Sequence, residues 1–253
     1  MRVAFVSYAS PCLGTLLCLL MHGQAISVPS GPKGPQAKSG AELDAFGLLY
    51  EAPTRHESAA AAESFLRSYP DSEFVEYAAI AAMHSHHDLG SWKRSKELAE
   101  LVLKINPDNV DALLHLARLL IDPRHEDKAN LEEAGRLAER GLAKLKTMNI
   151  PRSANSREWL RTRNSFAAIG SSVRGWVSFR TGAKDRAIDY LKEAVRLDQQ
   201  GEYFYRLSLV AEAKRDVKGS RDWAAQAIQA GPEWISVLAR RQLAALEASR
   251  DDR

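Results

Sequence analysis

Two patterns of apolar and polar residues meet near residue 40. From residue 41 onward, apolar and small residues recur every three or four positions, broken by short turns containing Gly, Pro or Asp. That spacing places them along one stripe of an α-helix, and no run in this region alternates as a half-buried strand would. The pattern predicts an all-α chain of helices joined by short turns. Before residue 41 the pattern differs. After Arg2 no formally charged side chain occurs until Lys33, and the gap contains the apolar run Leu13 to Met21 followed by His22-Gly23-Gln24-Ala25. One basic residue, a short apolar core and a small-x-small exit describe a secretory signal peptide over residues 1–25, with cleavage after Ala25. If it is not cut, the uncharged stretch 3–28 is long enough to span a bilayer, the alternative being a membrane-anchored chain. Residues 26–40 contain Pro29, Gly31, Pro32, Gly34 and Pro35 with few apolar residues, the composition of a flexible linker.

Comparing the helical region with itself shows a repeat. Phe65-Leu66-Arg67-Ser68-Tyr69-Pro70, Val102-Leu103-Lys104-Ile105-Asn106-Pro107 and Ala227-Ile228-Gln229-Ala230-Gly231-Pro232 each end a helical run at proline. A fourth copy, Ala194-Val195-Arg196-Leu197-Asp198-Gln199, carries Gln in the proline slot. Gln199 to Pro232 spans 33 residues and Pro70 to Pro107 spans 37. A period near 34 with two helices per unit resembles the tetratricopeptide repeat family. The resemblance extends to the small-residue slots of the turn and of the helix crossings: Gly175, Gly182 (in the turn), Ala187 and Ala194 in one copy, Gly90 (in the turn), Ser95 and Ala99 in another, and Ser208, Ser220, Ala224 and Ala227 in a third. Helices pack at about 8–10 Å only where such positions carry little side chain.

This resemblance implies an α-solenoid of about five antiparallel helix pairs over residues 41–253, closed by a capping helix from Glu233 to about Ser249. A degenerate pair is expected from Val110 to Ile121 and from Leu131 to Leu145. Residues around 149–167 do not fit the period. Trp159, Phe166, Ile169, Val173 and Trp176 fall at spacings of 7, 3, 4 and 3, so part of this insertion reads as an N-terminal extension of the next first helix, about 25 residues long, with its apolar stripe packed inward.

Composition narrows the function. A chain of 253 residues that is 45% hydrophobic and 26% charged is neither disordered nor collagen-like. Both cysteines, Cys12 and Cys18, lie in the signal segment, so the mature chain would have no thiol nucleophile, disulfide or thiolate ligand. A formal charge of +3, or +2 once Arg2 is removed, nominates no nucleic-acid partner. That small total conceals a strongly basic run. Residues 152–180 hold six arginines (Arg152, Arg157, Arg161, Arg163, Arg174 and Arg180) against one acid, Glu158, for a net +5. Planar guanidinium forks among aromatic side chains suit an anionic envelope component, lipid or glycan.

No phosphate loop, nucleophile elbow, His-Glu-x-x-His or dinucleotide fingerprint is present, so no enzyme activity and no cofactor are implied. His84 and His87 share a helix face beside Asp88; they read as groove-lining or dipole-complementing groups, with a metal site or metal-dependent enzyme as the alternative. The family resemblance implies a concave groove lined by the first helices, which carries Tyr77, His84, His87, Arg118, Trp176, Phe179, Arg180 and Tyr205. The expected protein is therefore a non-catalytic scaffold of the bacterial cell envelope, periplasmic or secreted, that binds a protein or peptide segment. A membrane contact is expected only through an uncleaved N-terminal segment.

Overall fold

A computed structural model describes residues 34–124, 126–149 and 155–251. The expected signal peptide and most of the linker lie outside the described residues, as does Arg152. Eleven helices are present among the described residues. The first helices of successive pairs are α1 (Gly40–Glu51), α3 (Val75–Asp88), α5 (Val110–Leu120), α7 (Ser156–Arg180) and α9 (Gly201–Ala213). Their second helices are α2 (Arg55–Ser68), α4 (Trp92–Ile105), α6 (Lys128–Thr147), α8 (Lys184–Leu197) and α10 (Val217–Ala230). An odd final helix, α11 (Glu233–Asp251), follows. Five sequential pairs and a terminal helix are the α-solenoid architecture that the period predicts.

Two compact units divide the chain. One contains residues up to Asn106 together with Met148–Arg163; the other contains Pro107–Thr147 and Asn164–Arg253. In the first unit, Phe46 stacks on Phe74 at 4.4 Å and meets Phe65 edge-on at 5.5 Å. Ala78, Ala79 and Ala82 of α3 are fully buried, letting α2 and α4 approach it closely. Serines fill the remaining small slots, and burial obliges each hydroxyl to find a partner. Ser95 donates to the Met83 carbonyl at 2.9 Å, Ser85 to Ser58 at 3.1 Å, and Ser58 to the Leu49 carbonyl at 3.2 Å.

The second unit relies more on glycine. A Cβ on Gly175 would lie 2.7 Å from Leu191 Cγ, and one on Gly170 2.7 Å from Leu142 Cγ. Gly201 faces the backbone of Gly231 itself, so there no side chain could move aside. The core between α8 and α9 is Ala187, Leu191, Leu207 and Val210, and α11 covers the open end with Ile235 and Ala239 against Phe204, Ala224 and Ala227.

Three of the turns between paired helices share one closure. Gly90 and Gly182 have φ of +71° and +89°, and the amide after each reaches back to a helix carbonyl: Ser91 to His86 at 2.8 Å, Ala183 to Ser178 at 2.8 Å. This is the left-handed helix end that glycine adopts without steric cost. In the third copy the residue is Arg215, at φ 64°, with Asp216 donating to Ala211 at 2.9 Å.

Helix limits differ from the sequence expectation in two places. The second helix of the degenerate pair begins at Lys128 rather than Leu131, because Asp127 caps it by accepting from the Asn130 amide at 2.7 Å. The last helix runs on to Asp251. The extended helix α7 is 25 residues long, and Trp159, Val173 and Trp176 of its apolar stripe are buried, with Phe166 and Ile169 packed against Val110, Leu114 and Leu145.

The turn and the crossing each carry a stability prediction. Arg215→Gly removes a left-handed non-glycine residue and, net of the greater freedom of glycine in the unfolded chain, should stabilise by roughly 0.5–1 kcal/mol in denaturant melts. Gly201→Ala should cost roughly 3 kcal/mol through overpacking, while Gly47→Ala, whose Cβ meets only open space in α1, should gain about 0.5–1 kcal/mol. Equal effects of the two glycine substitutions would contradict the close approach of α9 to the α10–α11 turn.

Candidate partner-binding face

In the second unit, first helices α5, α7 and α9 are tied together by a polar network. Glu202, in the first turn of α9, accepts from two guanidiniums: Arg118 of α5 at 2.7 Å on one oxygen and Arg206 at 2.6 Å on the other. Arg206 lies one helical turn beyond Glu202, the spacing at which an acid and a base share a helix face. It is only 8% exposed and also donates to Ser172 of α7 at 3.0 Å. Burial pulls its pKa down, and the neighbouring Glu202 carboxylate opposes that shift. The Arg206 guanidinium also stands 5.4 Å from the Trp176 ring centroid, a cation–π arrangement.

Trp176 extends the network toward the α5–α6 turn. Its indole N–H donates to Glu126 at 2.7 Å, and the other Glu126 oxygen pairs with Arg180. The Glu126 side chain is only 6% exposed, so both oxygens are committed to these two partners. Phe179 lies 5.3 Å from the Trp176 ring and packs on the α8–α9 core. Tyr205 is half-buried against the α9–α10–α11 core, and burial, then the nearby Glu212, raises its pKa.

The structure thus brings Arg118, Trp176, Phe179 and Arg180 into one neighbourhood, with a different division of labour from the sequence expectation. Trp176 is 7% exposed and works as a bracket within the face rather than an open anchor. Arg118 and Arg180 keep part of their side chains in solvent at its edge. Glu126 and Arg206 were not among the expected residues. Glu126 sits in a turn outside any periodic run, whereas the Glu-x-x-x-Arg spacing of 202 and 206 was a readable signal.

In the first unit Tyr77, His84 and His87 of α3 are all half-buried. Burial, then Glu76, raises the pKa of Tyr77. Asp88, the acid nearest the two histidines in sequence, pairs with Arg55 at 2.9 Å. His86 instead faces Glu63 at 3.2 Å, and Glu63 is gripped by Arg94 at 2.7 and 2.9 Å. The hydrogen bond from Arg94 is the main cause holding the Glu63 carboxyl below its ordinary range. Among the described residues, no three His, Cys, Asp or Glu side chains cluster as a metal site would require.

The arginine-rich run does not act as one block. Arg157, Arg161 and Arg163 are exposed. Arg174 lies 4.2 Å over the Tyr190 ring and donates to its hydroxyl at 2.5 Å.

Residues 138–202 match the tetratricopeptide repeat family model. The matched segment covers the second half of α6, all of α7 and α8, and the start of α9. No curated protein matches the chain in sequence. Solved structures match its fold. MamA from Desulfovibrio magneticus RS-1 (residues 41 to end) superposes with a TM-score of 0.54 at 14% identity, covering 76% of this chain and 96% of that one. A thermophilic TPR protein of Thermus thermophilus gives 0.51 at 18% identity, covering 82% and 99%. PilW, a type IV pilus biogenesis factor, gives 0.53 at 15% identity, covering 76% and 78%. The class these features define is a TPR-like α-solenoid, carrying a tetratricopeptide repeat match over residues 138–202; generically, such a domain is a scaffold for protein–protein interaction.

Glu202→Gln should leave buried Arg206 without its counter-charge and destabilise by roughly 3 kcal/mol. Thermal and denaturant melts of the variant test this; an unchanged midpoint would show that Glu202 is not the counter-charge on which buried Arg206 depends.

Proposed function

We propose that this chain is a non-catalytic scaffold of the bacterial cell envelope that holds an extended partner segment against its first helices. The observation that carries this reading is the network of Arg118, Glu202, Arg206, Ser172, Trp176, Glu126 and Arg180 across three successive first helices. Side chains already locked to one another lose little freedom on binding, so a contact made there retains more of its free energy. Arg118 and Arg180 keep part of their guanidinium-bearing side chains in solvent, which suits a partner segment bearing acidic side chains. Arg118, Arg180 and Tyr205 supply the solvent-facing contacts, and arginine and tyrosine are enriched among binding hot spots. By repeat register, Tyr77, His84 and His87 of α3 are the corresponding candidates within the first unit.

Export to the periplasm or beyond is part of the proposal and rests on the signal-like residues 1–25 and the Pro/Gly-rich stretch that follows. Membrane anchoring through residues 3–28 is the alternative. Photo-crosslinking tests the binding face. A crosslinking side chain at Arg118, Arg180 or Tyr205 should trap a protein partner in cells, whereas one at Lys192 or Gln226 on the second helices should not. Capture from the second-helix positions alone would overturn the reading.

A further inference from the structure

The arginines at the start of α7 are set apart from the rest of the basic run. Arg180 is paired with Glu126 and Arg174 is stacked on Tyr190. Arg157, Arg161 and Arg163 are exposed, and among the described residues none of the three meets a carboxylate. Leu160 stands between them with 53% of its surface exposed. At 100° per residue, Arg161, Arg157, Leu160 and Arg163 spread over an arc of about 160°. No acidic residue of α7 falls within that arc, Glu158 lying about 60° beyond Arg161.

We propose that this face of α7 docks on an anionic phospholipid surface. Charge complementarity calls for an anionic occupant, and three further features select a lipid surface. Guanidiniums splayed over so wide an arc address a flat array of charges better than a single group. The apolar side chain at their centre can enter the headgroup boundary, as in interfacial helices. The aromatic residues nearby offer no stacking platform for single-stranded nucleic acid, because Trp159 is 6% exposed and Phe166 is packed on Val110, Leu114 and Leu145. An acidic peptide would need a groove or pocket for its side chains, and an exposed helix crest provides neither.

Each basic side chain at an anionic leaflet is worth roughly a fivefold gain in partitioning, so three acting together are worth on the order of 100-fold. The interaction is therefore weak, reversible and salt-sensitive, and it is independent of the partner-binding face proposed above. Vesicle co-sedimentation of the full chain tests it, comparing pure phosphatidylcholine with the same lipid containing phosphatidylglycerol. An uncleaved apolar N-terminus would raise adsorption to both vesicles alike, so the difference between them isolates the charge contribution.

The wild-type chain should gain on the order of 100-fold on the anionic vesicles, and the gain should fall steeply with added salt. The triple variant Arg157→Ser, Arg161→Ser, Arg163→Ser should lose nearly all of it while keeping its far-UV circular dichroism. A control carrying Arg186→Ser, Lys192→Ser and Lys218→Ser, with the same change in net charge, should retain it. Equal losses in the two variants would assign the effect to bulk charge and overturn the proposal. So would adsorption indifferent to phosphatidylglycerol, or retention on immobilised polyglutamate with none on anionic vesicles.

Discussion

The architecture depends on helices being allowed closer together than an ordinary side chain permits. At the α9 start, Gly201 lies against the Gly231 backbone, and at the α7–α8 crossing Gly175 receives the Leu191 side chain. Ridge-into-groove packing at about 8–10 Å requires such gaps. Two kinds of slot meet this requirement. Where the slot holds serine, as at Ser95 or Ser58, the hydroxyl is turned onto a carbonyl of the neighbouring helix, so the close approach carries no unsatisfied donor. Where it holds glycine, the neighbouring leucine fills the space, and the contact is dispersion alone.

Close crossings fix where the first helices stand, and the polar network depends on that placement. Arg206 can remain charged at 8% exposure only because Glu202, Ser172 and the Trp176 face all lie in reach at once. A buried ion pair adds little net stability over apolar packing, but removing one member leaves an uncompensated charge. Such a network therefore penalises misplacement more than it rewards formation. Its contribution here is definition: Arg118 and Arg180 are held at the edge by Glu202 and Glu126, which are themselves committed inward.

The repeat was readable because its determinants are local. Pro70, Pro107 and Pro232 mark helix ends, and Gly90 and Gly182 mark left-handed turns, each by the chemistry of its own backbone. Arg215 shows the limit of that logic, since its turn has the same closure with no glycine to announce it. The site was less readable. Register indicates which way Trp176 faces but not how deeply it sits; depth is decided by Arg206, Phe179 and Glu126, which arrive from α9, from the next turn of α7 and from a loop. Glu126 in particular belongs to no periodic run, so nothing in the sequence pattern joins it to a tryptophan 50 residues away.

The arginine run makes the same point about charge. A formal total of +3 over the chain and +5 over residues 152–180 are both sums that ignore where the counter-charges are. At physiological ionic strength a charge is felt over about 8 Å, so only uncompensated neighbours within a turn or two of helix add to one another. Arg180 drops out of that local sum because Glu126 pairs with it, and Arg174 drops out by distance, about 16 Å of helix rise beyond Arg163. Arg157, Arg161 and Arg163 lie within about 9 Å of helix rise, and so act as one field. The local unit of charge is therefore the exposed first turns of α7, a far smaller object than the basic run from which it is drawn.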